Sequence, residues 1–105
     1  MDLLKYRWSK TYEAGESELI DLLKSKDIDA TRWEAEMGEV FEAKTNPNDK
    51  RIWCSEGSIT YIIDGNKNIP LQAGDALNVP ANTMHSALAG FMGCVCFEYT
   101  ITGAN

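Results

Sequence analysis

The stretch AGDALNVPANTMHSA, residues 73–87, decides the fold. Ala73-Gly74-Asp75 reads as a turn because glycine reaches backbone angles closed to other residues, and Pro80-Ala81-Asn82 reads as a second turn in which proline presets φ. Between them Leu77 and Val79 flank Asn78 at the period of a β-strand. After the second turn, His85 opens a new run. Just upstream, EGSITYIIDG, residues 56–65, follows the same pattern: Ile59, Tyr61 and Ile63 alternate, and Asp64-Gly65 supplies the positive φ of a tight hairpin.

Further short β-prone runs surround these two stretches: ATRWEAE, EVFEAK, RIWCSEG, HSALAG and CVCFEYTI. Runs this short, punctuated by Gly38, Gly57 and Gly90, predict a sandwich or barrel. Before Asp29 the period changes. Leu19, Ile20, Leu22 and Leu23 recur at helical spacing, with Ser17 placed as N-cap and Lys24 and Lys26 near the negative end of the helix dipole. Leu3, Leu4, Tyr6, Trp8 and Tyr12 offer anchors for an arm or an edge strand. Folding is expected to depend little on residues 1–10. With 105 residues there is one core and one domain: residues 1–30 form an arm and short helix, and residues 31–105 the barrel.

Composition excludes several functions. A net charge of −6 argues against a nucleic-acid partner, which needs clustered Lys and Arg. No apolar run approaches the ~20 residues of a membrane span, and MDLLKYRWSK lacks the apolar core of a signal peptide, so the expected location is the cytoplasm. Cys94 and Cys96, two apart on one strand, point the same way and are poorly placed to bridge, which predicts reduced thiols. The charge is uneven: residues 13–42 hold ten acids and three bases, whereas 43–51 hold Lys44, Lys50 and Arg51 against Asp49.

The chain resembles the cupins, the RmlC-like β-barrels of double-stranded β-helix or jelly-roll type. Their first motif is spaced G-x5-H-x-H-x3,4-E-x6-G, and here Gly38, Lys44, Asn46, Lys50 and Gly57 stand at those positions. The second motif, G-x5-P-x-G-x2-H-x3-N, is matched by Gly74, Pro80, Asn82, His85 and Ala89. The resemblance spans residues 32–100 and implies an all-β barrel with four side chains, Lys44, Asn46, Lys50 and His85, at the places where cupins hold a metal. Three of the four usual ligands are replaced. A protonated lysine has no lone pair to donate, so no metal and no other cofactor is expected.

Period-two alternation puts Lys44 and Asn46 on one side of their run and Lys50, Ile52 and Cys54 on one side of theirs, which supports the interior placement that the resemblance implies, with the two lysines expected on adjacent strands. Two buried ammonium groups repel, and burial disfavours their charge, so an acid or a ligand must balance them. Glu42 and Glu98 have the parity to do so from within the protein. In a second reading Lys44 and Lys50, with Asn46 and His85 as hydrogen-bonding partners, bind a small anion such as a carboxylate. In a third, a lysine with a depressed pKa acts as base or Schiff-base amine. Cys54 and Cys96 with His85 lack a zinc spacing and read as core. Trp33, Trp53 and Phe91 are candidates to stack on a ligand or fill a core. The expectation is therefore a binding protein rather than an enzyme, taking a small molecule and forming the homodimer common among small cupins. The alternatives are a lysine-dependent isomerase or decarboxylase, a metalloenzyme with unusual ligands, or a structural domain with a filled pocket.

Overall fold

A computed structural model describes residues 1–11 and 14–101. Tyr12 and residues 102–105, assigned above to the arm and the barrel, lie outside the described residues. The elements are β1 (Leu4–Arg7), α1 (Glu16–Ser25), β2 (Thr31–Ala35), β3 (Val40–Lys44), β4 (Asp49–Ile63), β5 (Lys67–Gln72), β6 (Asp75–Val79) and β7 (His85–Ile101). All strand pairings are antiparallel, in the order β1-β6-β4-β7-β2, with β3 added to β7 and β5 to β4. The all-β expectation holds. Among the described residues no helix is long and apolar enough to cross a membrane.

Two cores follow from the two faces of the strands. Ile52, Cys54, Ile59, Tyr61, Ile63, Leu71, Leu77 and Val79 fill the barrel interior. Their strand neighbours point outward, and Trp53, Ala76 and Phe97 form a second core under Leu19 and Leu23 of α1. The helix therefore caps one outer face of the barrel. It begins one residue after Gly15, which caps it without a side-chain bond, so Ser17 lies inside the first turn rather than at the N-cap.

The arm is more than an appendage. Its β1 pairs with β6 from Leu4↔Asn78 to Arg7↔Asp75, and the Trp8 Nε1–H donates to the Cys54 carbonyl at 3.0 Å. The buried Asp75 takes Arg7 at 3.3 Å and Lys5 at 3.8 Å. The arm is therefore an edge strand, and these contacts weigh against the expectation that folding depends little on residues 1–10.

Runs read as separate strands are joined. RIWCSEG and SITYIIDG belong to the single strand β4, which bends with register shifts between Cys54 and Ile59, while HSALAG and CVCFEYTI both lie in β7. Gly57 sits at that bend with φ +70°, its Cα so close to the Gly93 carbonyl that a side chain has no room. The β4–β5 hairpin turns as expected, with Asp64 at φ 52° and Gly65 at φ 77°.

Candidate functional site

Between β3, β4 and β7 the barrel holds a cavity of about 240 Å³. Trp33, Phe41, Tyr61 and Ala87 supply an apolar wall, and Lys44, Lys50, His85 and Glu98 supply polar groups. The interior is not filled. Trp33 meets Phe41 edge to face with ring centroids 5.2 Å apart, which fixes both rings. Phe41 and Lys44 both line the cavity although they are three positions apart, an offset that strict alternation would put on opposite faces. The pairings Phe41↔Ala87 and Lys44↔His85 leave one extra residue in β3, a bulge that resets the alternation.

Three of the four residues at the cupin ligand positions, Lys44, Lys50 and His85, come together around this cavity. Asn46 does not line it. It lies in the irregular segment between β3 and β4, where period-two alternation has ended, and its backbone carbonyl accepts from Asn82 N–H at 2.7 Å. The lysines are also not on adjacent strands: β3 pairs with β7 and not with β4, so Lys44 and Lys50 approach across the interior. Trp53 and Phe91 lie elsewhere, the first in the core under α1 and the second on the surface. Phe41 and Tyr61 were not expected as cavity walls, although the Ile59-Tyr61-Ile63 alternation already placed Tyr61 inside.

Lys50 is almost completely buried and its Nζ lies 3.3 Å from Glu98 Oε2. Burial pulls the Lys50 pKa below its ordinary 10.5; the Glu98 carboxylate opposes this and the Lys44 ammonium reinforces it. Of the two acids with suitable parity, Glu98 is the one that balances Lys50. Glu42 forms no ion pair among the described residues, and neither does Lys44. Glu34, at the cavity edge, is engaged by Arg32 at 2.9 Å. The inner site therefore holds one ion pair and one further cation.

His85 donates from Nδ1 to the Thr83 carbonyl at 3.0 Å, and its buried Nε2 has no protein partner. In the neutral ring that nitrogen is a bare acceptor. The buried Trp33 Nε1–H is likewise without a partner, as is Asn46 Nδ2. Burial lowers the His85 pKa from its ordinary 6.5; the bond to Thr83 opposes the shift, and Lys50 and Lys44 add to it. A base whose folded pKa is depressed contributes stability in full above the unfolded value and loses it as pH falls through the folded one. Melting temperature is therefore expected to drop as pH falls below 6.5, and to drop less in His85→Gln. Parallel slopes for the two proteins in thermal melts from neutral pH downward would contradict this.

The comparisons with solved structures give one consistent answer. KdgF from a Halomonas species matches with a TM-score of 0.59 at 23% identity, over 68% of this chain and 66% of that one. A cupin superfamily protein from Desulfitobacterium hafniense DCB-2 matches with a TM-score of 0.64 at 16% identity, over 95% of this chain and 77% of the other. An RmlC-like cupin from Shewanella frigidimarina matches with a TM-score of 0.61 at 20% identity, over 71% and 67%. The fold is that of a cupin. At these identities the likeness concerns the fold alone. No protein-family model matches the chain, and no curated protein matches it.

A cupin metal would need several donors at the inner site, and the residues present do not fit one. Among the described residues no three His, Cys, Asp or Glu side chains converge to hold an ion. His85 is the chain's one histidine, and the two lysines that line the cavity with it have no lone pair to donate when protonated. The cysteines are buried and free: Cys96 Sγ lies 3.9 Å from Cys94 Sγ, and contacts with Cys54 and Cys94 together with burial push the Cys96 thiol well above its ordinary pKa. They belong to the core, as the sequence suggested.

Proposed function

We propose that this cupin binds a small organic carboxylate in its barrel, without a resident metal. The observation that carries the reading is Lys44, a cation on the cavity wall with no acidic partner among the described residues, beside an already balanced Lys50–Glu98 pair. A carboxylate there would supply the missing counter-charge and lower the cost of two neighbouring ammonium groups. The wall of Trp33, Phe41 and Tyr61 favours a flat or apolar body. The unpartnered groups refine this further: Trp33 Nε1–H calls for an acceptor and neutral His85 Nε2 for a donor, a combination that a hydroxycarboxylate provides.

The experiment is thermal melting against a panel of small carboxylates and their hydroxy analogues. A ligand that binds the folded state stabilises it by RT ln(1 + [L]/Kd), about 2.7 kcal/mol at a hundred times Kd, which moves Tm by on the order of 10 °C in a domain of this size. Hydroxy acids should give larger shifts than the matching acids without the hydroxyl. Flat curves across the panel would overturn the reading, as would elemental analysis finding about one Mn, Fe, Ni, Cu or Zn per chain.

A further inference from the structure

Outside the barrel, a groove of about 280 Å³ runs between the C-terminal end of α1 and strands β1 and β4. None of its residues lines the cavity inside the barrel. The strand register builds its floor. Tyr6 lies opposite Ala76 and Ala76 opposite Trp53, making one row across β1, β6 and β4; two positions further along the same face Asn78 lies opposite Arg51. Trp8 stands just past the end of β1, and the bond from its indole N–H to the Cys54 carbonyl fixes its ring. The helix adds Leu22 and Leu23, and the turn after it adds Lys26 and Ile28.

The charges of this groove are one-sided. It is lined by Arg7, Lys26 and Arg51 and by no acid, in a chain of net charge −6. Arg7 is already engaged, by Asp75 at 3.3 Å and by the carbonyls of Ala73 and Thr11 at 2.9 and 3.0 Å. Arg51 and Lys26 form no ion pair among the described residues, and Asp27, next to Lys26 in the chain, does not pair with it. Asn78 Oδ1 accepts from Arg51 Nε–H at 2.8 Å, a bond that holds the guanidinium and does not use its terminal amino groups. Burial raises the Tyr6 pKa and the nearby Arg51 opposes this, so the phenol stays a neutral hydroxyl beside that cation. The backbone N–H groups of Lys26, Asp27 and Ile28 take up the last carbonyls of α1, and Lys26 Nζ is the charge which that end of the helix brings to the groove.

We propose that this groove is a second binding site, separate from the barrel cavity, for a small flat aromatic carboxylate whose ring lies against Trp8 and Trp53 and whose carboxylate meets Arg51 and Tyr6. A guanidinium takes a carboxylate through two parallel N–H bonds, and aromatic side chains at its base exclude water from them. The unpaired charges call for an anion, and the two indoles and the phenol call for a flat apolar body. Size points the same way: the volume lies just under the roughly 300 Å³ at which small-molecule pockets begin, too little for a protein segment and enough for a single ring with a short acidic chain. The site does not depend on the barrel cavity, because Arg51 faces outward where its neighbour Lys50 faces in.

The test is a titration of the full isotope-labelled chain with cinnamate, followed by heteronuclear NMR at the tryptophan indole N–H signals. Each signal reports its own place: Trp8 and Trp53 the groove, Trp33 the barrel cavity. The expected result is a saturable shift of the Trp8 and Trp53 signals that persists in Lys44→Met, with affinity lowered roughly tenfold or more in Arg51→Gln. Cinnamamide, which keeps the ring and removes the charge, should bind to wild type roughly tenfold or more weakly than cinnamate, and this comparison decides alone if Arg51→Gln does not fold. No saturable shift, or a shift at Trp33 only, would overturn the proposal. So would equal affinity for the acid and its amide, or for wild type and a folded Arg51→Gln.

Discussion

Glu98→Gln is expected to destabilise the protein by about 3 kcal/mol, the lower end of the ~3–5 kcal/mol that follows loss of one partner from a buried ion pair. The lower end applies because the Glu98 side chain keeps 27% of its exposure, whereas that of Lys50 keeps 4%. Without the carboxylate Lys50 remains an ammonium in the barrel interior, with Lys44 nearby and no other acid paired to it among the described residues. Burial already lowers its pKa, so the folded form favours the neutral amine more than the unfolded chain does. The sign of the pH effect follows. The deficit of Glu98→Gln should shrink as pH rises from neutrality toward the unfolded value of 10.5, because deprotonation relieves the unpaired charge. Replacing both partners, Lys50→Met with Glu98→Leu, should recover most of the loss. Denaturant titrations of the three variants at two pH values check this, and a Glu98→Gln cost below about 1 kcal/mol would mean that the pair does not hold the buried lysine.

Leu77→Ala should cost roughly 2–5 kcal/mol, since Leu77 is fully buried between Ile52 on β4 and Lys5 on β1 and its truncation leaves a cavity in close-packed surroundings. Deleting residues 1–10 is expected to cost a comparable amount, on the order of 3 kcal/mol, through loss of the β1–β6 pairing, of the Trp8 bond to Cys54 and of the partners of buried Asp75. Equilibrium unfolding in urea compares the two. A deletion that leaves stability unchanged while Leu77→Ala lowers it would restore the view of the arm as a dispensable extension.

Much of the barrel is legible in the sequence because the side chains that fill its interior recur at every second position of their strands. Ile59, Tyr61 and Ile63, then Leu77 and Val79, carry that period without interruption, and each is buried. The segment KNIPLQ was not read as a strand, yet it forms β5. Pro70 argues against a central strand, but β5 pairs with β4 alone, and on such an edge a missing N–H is tolerated. The bends at Gly57 and Gly93 hide the continuity of β4 and β7, because a turn-like glycine inside a strand looks the same in sequence as a glycine between strands.

The site is legible only in part, for a related reason. Spacing from glycine and proline places Lys44, Lys50 and His85 correctly at one cavity. Parity also singles out Glu98, though not as the sole partner of Lys50. What counting by twos cannot reach lies beyond the β3 bulge: it misplaces the neighbours of Lys44 and puts Asn46 on a cavity wall that it does not line. Tertiary geometry also decides that the lysines meet across the barrel instead of along a pair of strands.

Isothermal titration of small hydroxycarboxylates into the wild-type protein and into Lys44→Met tests the central claim most directly. Lys44 is exposed and has no ion-pair partner among the described residues, so the substitution should leave Tm unchanged within about 0.5 kcal/mol of stability. The account predicts saturable one-to-one binding by the wild-type chain and at least a tenfold loss of affinity in Lys44→Met, about 1.4 kcal/mol. No saturable heat with any carboxylate in the wild type, or equal affinity in the two proteins, would contradict it.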